Sequence, residues 1–542
     1  MAQLLIISVS LTVVFLLWRL VRQYVLRTPV DNLPGPPSGS LFSGNLAQLF
    51  ARDNKEFLTN YIDTYGPVAK FHGFLGARWL HVYDPKALHS VHVKDQDNYD
   101  RGSRPLVTTR LLVGPGLLAT SPSEHRRQRK LLNPAFSAAH MRGLAPIFYN
   151  VAGKLRTAIE DRVKEGPKDL DILAWMGRTA LELVGQGMMG YSFDPLVEEV
   201  HNDFAVALKS FVPGFADFQW ATVFVPIAVK LGPARFRRFL LDCLPIKSVQ
   251  RMKTICDVMH QQSLDIYNEK KAAIERGDQE TLLAVGEGKD MLSILLKANM
   301  KAADEDRLPD SELIAQMSTF TIAGVDTTSN ALSRILDLLC QHQDVQDKLR
   351  AEIRAAIEQH GMEIPYDELL ALPYLDAVCR ETLRLYAPAN VSFREAIKDT
   401  VVPFSQPVRG VDGTMMTEVP IPKGTVVISN IPACNANKAV WGEDAPEWRP
   451  ERWLQPLPRS VEEAHIPGIY ANLMTFLAGG RACIGFTFSQ LEMKVVLSTL
   501  LSSFRFELSD KPFVWNFAGF SYPSASHESS KPEMVLKVSL AP

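Results

Sequence analysis

Cysteine is scarce in this chain of 542 residues: Cys243, Cys256, Cys340, Cys379, Cys434 and Cys483 are scattered, with no C-x-x-C spacing. That argues against a disulfide framework or a structural zinc cage and points to a reducing compartment. An excess of charge is missing too, with 58 Lys and Arg against 60 Asp and Glu and a net charge of -2. No global field draws the chain to nucleic acid, so a charge-guided partner must use a local patch. Met1 to Trp18 lacks any charged side chain and is mostly apolar from Leu4 onward; Leu20, Val21, Tyr24 and Val25 extend the run, and Arg19, Arg22 and Arg27 follow. Its length approaches the ~20 apolar residues that span a bilayer. The basic residues come after it, which argues against a cleaved leader and places the remainder on the cytosolic side.

Cys483 lies in Phe476-Leu477-Ala478-Gly479-Gly480-Arg481-Ala482-Cys483-Ile484-Gly485, ahead of a helix-like run from Phe488 to Leu501. Gly479, Gly480 and Gly485 permit tight turns and close approach of the backbone to a flat ligand, while the helix start aims N–H groups at the sulfur. Arg481 adds a cation able to lower the thiol pKa and to pair with a ligand carboxylate. A shielded thiolate open on one side suits a haem iron engaged in O–O cleavage. The pattern F-x-x-G-x-R-x-C-x-G resembles, at every fixed position, the haem-thiolate signature of the cytochrome P450 monooxygenases. The resemblance implies haem b as cofactor, Cys483 as its axial ligand, and Phe476, Arg481 and Gly485 as members of the loop that holds it.

Leu33-Pro34-Gly35-Pro36-Pro37-Ser38-Gly39 reads as a stiff hinge. Val68 to His72 and Arg78 to Tyr83 read as strands of a hairpin, and Pro85 opens a helix. The helical segment Ser121 to Lys130 is so basic that it is either a solvated face or a partner surface. The family carries W-x-x-x-R here, whose members hold a haem propionate; Arg129 matches, and His125 stands in place of the tryptophan with an N–H able to make the same bond. Arg126, Arg127 and Lys130 either face an acidic reductase or are merely solvated. Phe204 to Pro245 is rich in aromatics (Phe211, Phe215, Phe218, Trp220, Phe224, Phe236 and Phe239), and the resemblance makes this region a mobile lid that dips into the membrane. The charged stretch from Asn268 to Lys289, with Gly277, Gly286 and Gly288, reads as helix ends and a loop.

Pro309 to His342 reads as one long helix capped by Asp310 or Ser311. Ala323 and Gly324 in its middle let a planar group and O2 lie against the backbone. Asp326, Thr327 and Thr328 follow. By itself this is a surface acid beside a back-bonded hydroxyl; A-G-x-D-T-T also resembles the family's oxygen-activation motif. That implies catalytic roles in which Thr327 holds the distal oxygen and a water while Asp326 relays protons. Glu381 and Arg384 in E-x-x-R share a helical face as a local ion pair. The resemblance adds Arg452 of P-E-R-W as the third member of a structural charge triad, and makes Arg394 the second propionate ligand. Thr425 to Asn430 reads as a strand, and Phe513 to Phe520 as a wall of the pocket.

The expected fold is mainly α with small β-sheets, the cytochrome P450 fold: an anchor at 1–27 forming one transmembrane helix, a hinge at 28–45, and a monooxygenase domain at 46–542. Gly116 to Phe136 resembles microsomal and especially fungal members. The implied function is insertion of one oxygen atom into a lipophilic small molecule (terpenoid, sterol, fatty acid or polycyclic aromatic) in secondary metabolism or detoxification. No flavin or nucleotide domain is fused, so electrons are expected from NADPH through a separate NADPH-cytochrome P450 reductase, at the endoplasmic reticulum membrane. Two alternatives are an O2-independent haem-thiolate isomerase or dehydratase, which usually disrupts the acid-alcohol pair, and a non-enzymatic haem-binding membrane protein, which has no need of it.

Overall fold

In the computed structural model, which describes residues 27–197, 203–277, 289–517, 519–529 and 531–542 together with Val14 and Trp18, helices dominate and four small sheets accompany them. The largest sheet contains β1 (Val68–His72), β2 (Arg78–Val82), β3 (Tyr99–Asp100), β4 (Val391–Ala396) and β5 (Val426–Asn430), in the order β1-β2-β5-β4-β3. β1 and β2 form an antiparallel hairpin with Val68 opposite Val82; β2 then pairs parallel with β5, Leu80 opposite Val427. β4 runs antiparallel to β5 with Arg394 opposite Val427, and β3 closes the edge through Tyr99 and Ala396. Burial alternates along β4 so that Ser392, Arg394 and Ala396 face inward. The period of two thus turns a guanidinium, only 6 % exposed, toward the interior.

Residues 28–45, read above as a hinge, are packed on this sheet. Val30 and Leu33 are wholly buried, Lys70 donates its N–H to the Pro34 carbonyl at 2.8 Å, and Arg78 pairs with Asp31 at 3.0 Å. The prolines keep the stretch extended, and extension here serves docking rather than spacing. Among the described residues no helix is long and apolar enough to cross a membrane. The anchor expected at 1–27 lies outside the described residues, save Val14, Trp18 and Arg27.

The helices that matter for the site are α1 (Pro122–Leu132), α2 (Ala138–Val163), α3 (Ile172–Val184), α4 (Asp203–Phe218), α5 (Ala234–Asp242), α6 (Lys247–Arg276), α7 (Asp310–Gln341), α8 (Pro373–Leu385) and α9 (Phe486–Ser503). α1 starts with Pro122 in the first helical position and a capping box in which Ser121 and Glu124 satisfy each other's end groups. α6 ends at Gly277, whose φ of +66° makes a left-handed cap; residues 278–288 beyond it lie outside the described residues. α7 has 32 residues and runs through the interior, buried on most sides. The cap expected from Asp310 or Ser311 is not formed: Pro309 precedes the helix, and the Asp310 carboxylate pairs with Lys271 of α6 at 2.8 Å. An ion pair across two helices outcompeted a local turn. α9 is buried on nearly every side, although it carries Gln490, Glu492 and Lys494 among its apolar residues. It packs on α2 through Phe148 and Phe488, edge to face at 4.9 Å, and on α7. Wholly buried side chains such as Leu336, Leu339, Val495 and Leu497 each contribute about 1.5 to 3 kcal/mol to this packing.

Candidate active site

The loop carrying Cys483 is held in a conformation that few sequences can adopt. Leu477 has φ +57° and Gly479 φ +65°. A Cβ on Gly479 would lie 1.8 Å from the His92 carbonyl oxygen, so only glycine lets the loop pack this closely. Cys483 donates its N–H to the Phe476 carbonyl at 2.8 Å, and Gly485 caps α9 directly behind it. The thiol has open surface, yet it sits deep enough that burial pushes its pKa up, against the Gly485 amide and Arg129, which pull it down. The cation that acts on the sulfur is therefore Arg129 of α1 and not Arg481, as the sequence suggested. Arg129 donates to the carbonyls of Gly480 and Ala482, while Arg481 is turned away to Asp100 at 3.2 Å and the Thr120 carbonyl at 3.0 Å.

Around this loop the structure gathers Arg101, Arg129, Arg394, Arg481 and the ring of His125. Burial together with the guanidinium neighbours lowers Arg394 to about 9 and Arg101 to about 10, with Asp100 opposing in both cases. The same burial and four arginines hold His125 at about 3, a neutral ring. Arg394 satisfies itself locally on Ser392 Oγ at 3.2 Å and the Phe393 carbonyl at 2.8 Å. Arg481 Nη1 is buried without a hydrogen-bond partner among the described residues. Four guanidiniums against the one carboxylate of Asp100 form an unbalanced cluster that calls for an anion. A flat group with two carboxylates and a central metal fits this donor set: carboxylates for the arginines, an iron for the thiol. Arg101 was missed in the sequence because Tyr99-Asp100-Arg101 has no periodic or spaced pattern to mark it.

The second half of the site is the middle of α7. Ala323 is exposed and Gly324, Asp326 and Thr327 are partly exposed in an otherwise buried helix, so one face of the helix is open there. Gly324 lets α3 approach: a Cβ on it would lie 2.8 Å from Val184 Cγ2. Thr327 Oγ1 donates to the Ala323 carbonyl at 2.7 Å. Burial pushes Asp326 up to about 7, against the pull of Lys209 on α4, so its proton is exchangeable near neutrality. Phe136 ties the halves together: it packs edge-on against Phe320 of α7 at 5.8 Å, and its ring edge comes within 4.0 Å of the Cβ position of Gly485.

Behind the loop lies an ionic clamp. Arg384 grips Glu381 with two bonds of 2.7 and 2.8 Å, both side chains wholly buried, and Arg452 reaches the same carboxylate at 3.4 Å. Trp453 Nε1 donates to it at 2.9 Å. Arg384 also donates to the carbonyls of Asn435, Ala445 and Glu447. From there Asn435 accepts from the Met474 N–H at 2.7 Å and donates to Thr475 Oγ1 at 2.8 Å, which donates to the Leu383 carbonyl at 2.7 Å. The clamp therefore reaches Phe476 through Asn435 and Thr475, two residues the sequence did not single out.

The basic residues of α1 divide. Arg127 turns inward to Glu312 of α7 at 2.7 Å, so it belongs to neither a solvated face nor a partner surface. Arg126 and Lys130 stay outside and, with His125, Arg129, Asn133 and Gly480, line a shallow basin of about 430 Å³. In the aromatic stretch, Phe211, Phe215 and Phe218 are half-buried, while Trp220, Phe224, Ile227, Phe236 and Phe239 are exposed.

Residues 34–525 match the family model described as cytochrome P450. The chain is similar to cytochrome P450 monooxygenase 91 of Postia placenta, 52 % identical over 526 residues covering 97 % of each chain. It is also similar to the ganoderic acid synthetase of Ganoderma lucidum, 49 % identical over 97 % of this chain and 96 % of the relative. A more distant relative, cytochrome P450 monooxygenase 205 of Postia placenta, is 34 % identical over 90 % of this chain and 88 % of its own.

Proposed function

Because the chain belongs to the cytochrome P450 family and is one of its monooxygenases, we propose that it inserts one atom of O2 into a lipophilic small molecule, a terpenoid, sterol, fatty acid or polycyclic aromatic, in fungal secondary metabolism. The observation that carries this reading is the pairing of one open thiol at a helix start with a cluster of guanidiniums short of anions. Haem b, when bound, supplies the iron that reduces and cleaves O2. Cys483 presents the thiolate; Arg481, Arg394, Arg101 and Arg129 hold the carboxylates, with a hydrogen bond from His125. Burial raises the thiol's pKa, and an iron held there would favour the deprotonated sulfur.

On the other side Thr327 can release its bond to Ala323 and turn its hydroxyl toward an oxygen held over the helix, while Asp326 moves protons from the side of Lys209. Glu381, Arg384 and Arg452 take no part in the chemistry and fix the loop. Electrons come from NADPH through a reductase that docks on the basin of Arg126 and Lys130, and the exposed Trp220, Phe224 and Phe239 lie on the endoplasmic reticulum membrane, which residues 1–27 anchor. The relative named for ganoderic acid synthesis supports the metabolic setting. The test is expression with a reductase and a screen of lipophilic compounds under ¹⁸O2. A product carrying one ¹⁸O atom is expected; products that form equally without O2 would move the chain to the isomerases.

A further inference from the structure

Among the described residues, the buried arginines outside the anion cluster use all three of their nitrogens, with one exception. Arg350, Arg384 and Arg452 each donate from Nε, Nη1 and Nη2. Arg334 on α7, 8 % exposed, donates from Nη1 alone, to Asp337 at 3.3 Å, and its Nε and Nη2 are buried without a hydrogen-bond partner. Two aromatic faces stand in for the missing bonds: the guanidinium carbon lies 3.5 Å from the ring centre of Trp515 and 4.3 Å from that of Tyr386. A cation out of water gains most from such faces, and the flat guanidinium stacks where an ammonium cannot. Asp337, itself buried, joins the parts, because the oxygen that takes the Arg334 bond also accepts from Trp515 Nε1 at 2.8 Å.

Arg334 comes seven residues after Thr327, about 10 Å along α7 and within ~20° of the same helical face. That is the face open at Ala323. The two rings root two different segments. Tyr386 ends α8 and leads through residues 387–390 into β4, whereas Trp515 lies in the strand Val514–Asn516, paired antiparallel with Tyr522–Ser524. These segments are stitched to each other: the Asn390 N–H donates to the Gly519 carbonyl at 3.0 Å, the Ser521 N–H to the Pro388 carbonyl at 2.8 Å, and Ser521 Oγ to Asn390 Oδ1 at 3.1 Å. Joined in this way, they carry the half-buried Phe517 and the exposed Phe520, and both are rooted on the face of α7 that opens beside Thr327.

We propose that Arg334 is a positioning residue for substrate selectivity: by holding Trp515 and Tyr386 over α7 it sets how far the joined segments stand from the open face, and so which lipophilic groups fit beside Thr327. Arg334 does not reach the substrate itself, since its spare nitrogens are buried. It acts through the walls it roots. Burial lowers its pKa to about 10, against the pull of Asp337, so it remains a cation at neutral pH. An apolar side chain of equal volume could fill the same space, but it would not draw both rings to one point.

This inference rests on the proposed haem monooxygenase reading, and the experiment separates the two. Imidazole, 1-phenylimidazole and 1-dodecylimidazole each place one nitrogen on a haem iron and differ in the group that must fit beside it, so shifts of the Soret band give three dissociation constants. In Arg334→Met and in Trp515→Phe the constant for imidazole is expected to match the parent's, while its ratio to those of the larger probes shifts by about tenfold, the discrimination that a misfit of one methylene produces. The double variant is expected to shift the ratios no further than Arg334→Met alone, because the two side chains act as one unit. Haem content and the reduced carbon monoxide spectrum stay those of the parent. Unchanged ratios, additive shifts, a parent haem that binds none of the three probes, or loss of folding in both single variants overturns this inference alone. A parent without a haem-thiolate spectrum overturns the wider reading and this one with it.

Discussion

Arg481 and Asp100 share one bond: Nη2 donates to Oδ1 at 3.2 Å, while the other terminal nitrogen of the same guanidinium is buried without a partner among the described residues. The residue is thus held in place by one end and free to bind with the other. Arg481→Leu removes a charge-assisted hydrogen bond worth about 1.5 to 3 kcal/mol, a weakening of haem binding by roughly 10- to 100-fold. The rate of haem transfer to an excess of apoglobin measures this, and a rate equal to the parent's would take Arg481 out of the site.

Cys483→Ala is expected to leave the loop intact, because the Cys483 N–H to Phe476 carbonyl bond belongs to the backbone. The variant should still fold yet lose the strongly red-shifted Soret band of the reduced carbon monoxide adduct. Retention of that band would assign the ligand elsewhere.

Thr327→Ala frees the Ala323 carbonyl and removes the hydroxyl, so the protein should keep haem and consume NADPH while product per NADPH falls. Equal coupling in the two proteins would rule the hydroxyl out.

Asp326 gives a test of stability as well as of activity. Its carboxyl is raised from 3.8 to about 7 by burial. Between these values the folded protein holds a proton that the unfolded chain releases, so this group costs stability progressively as pH rises from about 4 to about 7, and the cost is constant above. Asp326→Asn should therefore match the parent at pH 4 and be more stable at pH 8 by roughly 2 to 4 kcal/mol, read from denaturant unfolding at the two values. Its product formation should fall, and a decline above pH 7, expected of the parent as Asp326 loses its proton, should be absent from the variant's profile.

Glu381→Gln leaves Arg384 and Arg452 buried with half a partner, a loss of about 3 to 5 kcal/mol. Thermal unfolding should drop by several degrees, and haem content with it. An unchanged melting temperature would mean the clamp is dispensable.

For the membrane surface, a chain lacking residues 1–27 is expected to partition reversibly onto liposomes, since each exposed aromatic buried in lipid contributes ~1.5 to 3 kcal/mol. Changing Trp220, Phe224 and Phe239 to Ser should abolish most of that binding with no effect on the haem spectrum. Phe215 and Phe218 are half-buried, so changing them would disturb packing as well. Equal binding by both forms would place the contact elsewhere.

Local chemistry was legible in the sequence. The cysteine loop and the Glu381 and Arg384 pair have fixed spacing, and the spacing survives into geometry because neighbours on one helix or loop stay neighbours. Long polar connections were not. Asn435 reaches Thr475 and Arg127 reaches Glu312 over separations that leave no pattern in a single chain. The same holds for the cap: Asp310 is a good capping residue until Lys271 arrives from another helix. Each miss is a place where a partner far along the chain outbid a local preference.

The parallel pairing of Leu80 with Val427 sets a waiting time on the ribosome. At 5 to 20 residues per second, the roughly 350 residues between them take on the order of 20 to 70 s to emerge, and for that interval the hairpin of β1 and β2 shows an unpaired backbone edge. The edge is flanked by Phe71, Trp79 and Leu80, side chains that favour strand pairing with any chain nearby. Yield in a heterologous host is therefore expected to respond to slower initiation, lower temperature and chaperones that shield nascent strands, before it responds to any change in the haem site.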